Sequence, residues 1–61
     1  MKPVTYKNIR RRLGLSEEEL AKRLGVHFTT IYRRESGKIA ITPQAENSIK
    51  ALRLAMEPKA A

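Results

Sequence analysis

Residues 28–33 combine aromatic, hydroxyl and guanidinium side chains, which could contact a ligand through apolar packing and hydrogen bonds. Arg33 has a planar guanidinium whose paired donors match the O6 and N7 acceptors of guanine. Phe28 can pack on a thymine methyl group, Thr29 offers a methyl and a hydroxyl, and the Tyr32 hydroxyl can reach a phosphate or a base. Each has an alternative: Arg33 can be a solvated residue or a phosphate ligand, and Phe28 can lie in the core or in a protein interface.

Catalytic and metal-binding chemistry is poorly provided for. The 61 residues include one histidine, His27, and no cysteine or aspartate. There is no glycine-rich phosphate loop, and no acidic cluster lies near His27 in the sequence. We therefore expect no enzymatic activity, no cofactor and no metal. The role expected for His27 is to cap a helix or to contact a phosphate.

The charge of the chain indicates a polyanionic partner. Lysine and arginine number 13 against 6 acids, for a formal net charge of +7, and residues 1–14 contain no acid. Nucleic acid is favoured over an anionic membrane surface. No membrane association is expected, because no apolar stretch is long enough to span a bilayer and no signal-peptide pattern is present. The absence of cysteine fits a cytoplasmic protein.

Capping residues and apolar periodicity predict four short helices. These helices must position the side chains that could contact a ligand. The first helix is predicted from Thr5, as its N-cap, to about Leu13. Gly14 is expected to stop it in a left-handed conformation. Met1–Val4 is expected to be a short leader.

The two central helices surround a tight turn, and this is the most specific pattern in the chain. A Ser-x-x-Glu capping box at Ser16 starts the second helix. Ala21 is small where two helices must approach closely, and Gly25 stands where the chain must turn left-handed. Ile31 then packs the next helix back on the first of the pair. Together these residues predict a helix-turn-helix with its core at residues 16–37.

The third helix is predicted from Phe28 to Glu35 or Ser36, ended by Gly37. A loop is expected at 38–41, although Ile39 and Ile41 also permit a short strand. Thr42-Pro43 is a suitable start for the fourth helix, and Pro58 is expected to end it. One face of that helix is apolar, made of Ala45, Ile49, Leu52 and Met56.

These features resemble the Cro/C1-type helix-turn-helix family, also called the Xre or phage-repressor family. The matching runs are Ile9-Arg10-Arg11-Arg12-Leu13-Gly14-Leu15-Ser16, Glu19-Leu20-Ala21-x-x-Leu24-Gly25-Val26 and Thr30-Ile31-x-Arg33-x-Glu35-x-Gly37-Lys38. The resemblance covers about residues 5–55. It implies an all-α, lambda-repressor-like bundle of four or five short helices, forming one domain over residues 1–61. It further implies a bacterial or phage transcriptional regulator, a repressor in our interpretation, that binds double-stranded DNA as a homodimer on a palindromic operator.

The resemblance also implies which residues contact DNA. The third helix, residues 27–36, would enter the major groove. The implied base contacts are Phe28, Thr29, Tyr32 and Arg33. The phosphate contacts expected with it are Ser16, His27, Thr30, Ser36 and Lys38. Arg10 and Glu35 occupy the positions of a partly buried structural ion pair.

Two departures from the family pattern leave another function open. Phe28 stands where the family usually has a polar residue, and Glu17 replaces a glutamine that touches the DNA backbone. Both favour an antitoxin-like or protein-interaction module with weak or non-specific DNA binding. Leu54, with Ala51 and Ala55, is a candidate patch for homodimer formation.

Overall fold

The computed structural model describes residues 1–56, which contain four α-helices and no strand. The helices are α1 (Pro3–Arg12), α2 (Glu17–Leu24), α3 (Phe28–Ser36) and α4 (Pro43–Met56). The all-α prediction is confirmed, and the connection around Ile39 is a loop. The predicted helix stop at Pro58 lies outside the described residues.

Helix α1 begins earlier than the sequence analysis predicts. Its N-cap is Lys2, which makes no side-chain capping bond, and the prediction of Thr5 as N-cap is wrong. Pro3 suits the first helical turn because its missing N–H has no helical acceptor there. The leader prediction is also wrong, because Val4 is helical and Met1 packs partly buried against the core.

Helix α2 is held at both ends by local hydrogen bonds. Ser16 Oγ accepts the Glu19 N–H at 3.1 Å, and Glu19 Oε1 accepts the Ser16 N–H at 3.0 Å. Gly25 ends α2 at φ 71°, and the Val26 N–H donates to the Ala21 carbonyl at 3.0 Å. The predicted capping box and the predicted left-handed Gly25 are therefore confirmed. The turn at Gly25 directs the chain from α2 into α3.

The far end of α3 and the start of α4 are defined in the same way. Gly37 has φ 79°, and the Lys38 N–H donates to the Arg33 carbonyl at 3.0 Å. Thr42 Oγ1 accepts the Ala45 N–H at 3.2 Å, as expected of an N-cap. Gly37 therefore ends α3, and Thr42 caps the start of α4.

The core takes one fully buried side chain from each helix. These are Tyr6 of α1, Leu20 of α2, Ile31 of α3 and Ile49 of α4, each with 0% exposure. Full burial of such a side chain contributes about 1.5–3 kcal/mol. Because Ile31 anchors α3 through one face, the opposite face of that helix is directed away from the core.

A polar contact ties the inner side of α3 to α1. The Arg34 guanidinium donates to the Tyr6 hydroxyl at 3.1 Å and lies 5.8 Å from the centre of that ring. Burial raises the pKa of Tyr6, although the nearby Arg34 opposes this, and the phenol remains a neutral acceptor at pH 7. Arg34 is therefore a packing residue.

Candidate nucleic-acid interface

The outer face of α3 is made of residues that lie away from Ile31. Successive helical residues are rotated by about 100°, so Thr29 and Arg33 lie about 160° from Ile31 on the two sides of the helix, and Tyr32 lies about 100° from it. Tyr32 is 50% exposed and Arg33 is exposed, whereas Thr29 is half-buried. The fourth predicted base-contact residue, Phe28, lies beside α2.

Phe28 does not belong to the core. Its side chain is 48% exposed. It borders a surface groove of about 300 Å³ that is lined by Glu18, Ala21, Lys22, Val26, His27 and Phe28. Of the three roles left open by the sequence, burial in the core is excluded, and contact with DNA or with a protein partner remains.

His27 caps α3 and holds the first turn together. Its Nδ1 accepts the Thr29 N–H at 3.2 Å and lies 2.8 Å from Thr29 Oγ1. The imidazole and the Phe28 ring are 4.9 Å apart between centroids and tilted by 33°. The helix-capping role predicted for His27 is confirmed. Its contact with the Thr29 hydroxyl could not be predicted from the sequence, because that contact depends on the rotamers of both side chains.

A second groove, of about 270 Å³, lies where α1, α2 and α3 meet. It is lined by Lys7, Arg10, Arg11, Glu17, Tyr32, Glu35 and Ser36. Lys7 and Arg11 are four residues apart and therefore lie on one face of α1. This spacing is visible in the sequence, and it could have placed both residues among the candidate phosphate ligands. Glu17 lies in the same groove, and its negative charge repels an anion that Lys7 and Arg11 attract.

At the inner wall of this groove Arg10 and Glu35 form a two-point ion pair. Arg10 Nε donates to Glu35 Oε2 at 2.7 Å, and Nη2 donates to Oε1 at 3.0 Å. Arg10 Nη1 also donates to the Leu15 carbonyl at 2.9 Å. The Glu35 hydrogen bond raises the pKa of Arg10 above its ordinary value. The pair joins α1 to α3, and the donors of Arg10 are directed to protein acceptors.

The candidate phosphate ligands differ in the donors they retain. The Ser16 N–H is bound to Glu19, and the Ser36 hydroxyl donates to the Arg33 carbonyl at 3.2 Å. Lys38 is exposed just beyond the end of α3, and Thr30 is half-buried on its side. Lys38 is therefore well placed to meet a phosphate, the Ser16 hydroxyl accepts the Glu19 N–H and keeps its own proton for a ligand, and the Ser36 hydroxyl must exchange its existing bond.

Within residues 1–56 no three or more His, Cys, Asp or Glu side chains are grouped so as to hold a metal ion. None of the described helices has the length and apolar character that a transmembrane segment requires.

Comparison with known proteins agrees with this geometry. The helix-turn-helix family model, of the Cro/C1 type, matches residues 7–54, a range that includes α2, α3 and the turn between them. No curated protein and no solved structure gave a match.

Proposed function

This chain belongs to the Cro/C1-type helix-turn-helix family of DNA-binding transcriptional regulators, and we propose from this premise that it is a sequence-specific repressor. In this proposal residues 1–61 form one DNA-binding domain, and α3 enters the major groove of an operator. Binding excludes other proteins from the promoter. The protein acts in the cytoplasm of a bacterium, encoded there or by a phage.

The outer face of α3 is the observation that carries this proposal. Its exposed residues combine an arginine, which suits the acceptors of guanine, with a tyrosine and an edge phenylalanine. Arg33 is the residue we assign to direct base readout. Lys38, Thr30 and the cap residue His27 contact phosphates on either side, and the net charge of +7 supplies long-range attraction.

We further propose that two copies bind together. One α3 helix contacts a single half-site, so a palindromic operator requires a second copy about one helical turn along the DNA. Leu54 of α4 is 79% exposed, and Ala51 and Ala55 beside it are exposed as well. This small apolar patch is the proposed dimer contact.

A second candidate function is binding of a protein partner, as in an antitoxin. The groove beside the exposed Phe28 ring favours it, and so does the carboxylate of Glu17 in the groove where α1, α2 and α3 meet. An apolar protein contact depends weakly on salt, whereas DNA binding weakens steeply as salt rises.

Selection of bound sequences from a random duplex pool tests the proposal. The expected result is one enriched motif with two-fold symmetry, whose half-sites are spaced by about one helical turn. Recovery of unrelated sequences would contradict sequence-specific regulation and transfer the assignment to the protein-binding function.

A further inference from the structure

The hydrogen bonding of the first turn of α3 restricts what that turn can recognise. A ring nitrogen that accepts an N–H carries no proton, so Nδ1 of His27 is an acceptor. The Thr29 hydroxyl, 2.8 Å from the same Nδ1, must then be the donor of that contact. Its proton is occupied, and it retains only lone pairs and a methyl group for an outside ligand.

The neighbouring side chain adds an apolar surface. Phe28 is 48% exposed and is held 4.9 Å from the imidazole, measured between ring centroids. A phenyl ring has no hydrogen-bond donor. The Phe28 and Thr29 side chains therefore offer apolar contact and lone pairs, and no unoccupied proton.

This combination fits one base pair in the major groove. A G·C pair presents the guanine acceptors N7 and O6, which require donors, and the cytosine amino group, which is a donor. An A·T pair presents the adenine amino group, which is also a donor, and the thymine C5-methyl group. Either amino group suits the Thr29 lone pair, so the methyl group, which suits the apolar contact, distinguishes the A·T pair.

Continuity with the rest of α3 identifies the occupant as DNA. Thr29 and Arg33 are four residues apart and lie on one face of the helix. A groove that receives Arg33 therefore brings a base pair over Thr29, one helical turn away.

We infer that the first turn of α3 reads the C5-methyl group of a thymine through Phe28 and the methyl of Thr29, with His27 as the positioning residue. This inference rests on the proposed function, and it identifies one feature of the operator.

Replacement of thymine by uracil tests the inference, because it removes the methyl group and preserves base pairing. Each thymine of the selected duplex is replaced in turn, and the dissociation constant is measured. Loss of one buried methyl contact is expected to weaken binding about fourfold at one thymine per half-site. Replacing that pair by C·G should weaken binding too, and 5-methylcytosine should recover part of the loss.

Three variants assign the discrimination to its residues. Phe28→Ala should remove the preference for thymine over uracil. His27→Asn retains a good N-cap but lacks the ring, so the helical circular dichroism should persist while the preference falls. Val4→Ala is the control, because it shortens another exposed apolar side chain, outside α3, and should leave the preference at that thymine unchanged.

The possible outcomes distinguish a failure of this inference from a failure of the proposed function. A pool with no enriched motif contradicts the proposed function itself. An enriched motif whose thymines all tolerate uracil overturns the inference and leaves sequence-specific binding intact. A discriminating thymine that Phe28→Ala does not affect also overturns it, because the methyl would then be read elsewhere.

Discussion

Arg10 in α1 and Glu35 in α3 are joined by two hydrogen bonds, 2.7 Å and 3.0 Å long, across 25 residues of sequence. Their side chains are only 12% and 5% exposed. The pair thereby fixes the position of α3 relative to α1, and α3 is the helix that presents the proposed reading surface. We propose that the pair positions the interface and does not itself contact DNA.

Removal of one partner of this pair should be costly. Glu35→Ala leaves a poorly solvated guanidinium without its carboxylate, and we expect a loss of about 3–5 kcal/mol in the free energy of unfolding. Urea denaturation followed by circular dichroism measures it. Lys50→Ala removes one partner of the exposed pair with Glu46 and should cost less than about 1 kcal/mol. Equal losses of unfolding free energy in the two variants would show that the Arg10–Glu35 pair stabilises the fold no more than the exposed pair does.

The adjacent arginines of α3 should behave differently. Arg33→Ala is expected to relax the preference at one base pair per half-site by about 1–3 kcal/mol, with thermal stability unchanged. Arg34→Ala removes the guanidinium bound to the Tyr6 hydroxyl, so it should lower stability and preserve the base preference. Binding to a panel of operators with single base changes, together with melting temperatures, distinguishes them. An unaltered preference in Arg33→Ala would contradict base readout by this residue.

The capping box should make stability depend on pH in the acid range. The Ser16 N–H hydrogen bond lowers the pKa of Glu19 below its ordinary value of 4.5. A lowered folded-state pKa stabilises the protein above the unfolded-state pKa, and this contribution is lost as the pH falls through the folded-state value. Denaturation from pH 7 to pH 3 should show a steeper loss in the native chain than in Glu19→Gln. Parallel curves for the two proteins would refute this role of Glu19.

Dimer formation should depend on the exposed end of α4. Leu54→Gln is expected to prevent two copies from binding a palindromic duplex cooperatively, while the affinity for an isolated half-site is retained. Sedimentation of the protein–DNA complexes gives the stoichiometry. Val4→Gln is the matched control, because Val4 is 58% exposed on α1 and outside the proposed patch. Cooperative binding by Leu54→Gln would place the dimer contact elsewhere.

Local chemistry explains which structural features the sequence could predict. The Ser16 capping box, the left-handed Gly25 and the Thr42-Pro43 start each depend on residues within one helical turn. The start of α1 was mispredicted because Lys2 makes no side-chain cap, so nothing in its residue type indicates the boundary. Threonine is a preferred N-cap residue, so residue type favoured Thr5. The helix instead begins at Pro3, whose ring fixes a helical φ.

The site was less accessible to sequence reasoning than the fold. Helical periodicity was sufficient to place Tyr32 and Arg33 on the exposed face of α3. It could not show that His27 engages the Thr29 hydroxyl, nor that Arg34 turns inward to Tyr6. These contacts depend on rotamers and on helix packing, which a periodic pattern does not encode.

The most direct test of the account compares affinity for the selected duplex with affinity for a scrambled duplex of the same composition. Titrations at about 50 and 200 mM salt give both the specificity and the salt dependence. We predict that the selected duplex binds at least about 10³-fold more tightly at the higher salt, and that both affinities fall steeply as salt rises. Equal affinity for the two duplexes would contradict sequence-specific recognition by α3.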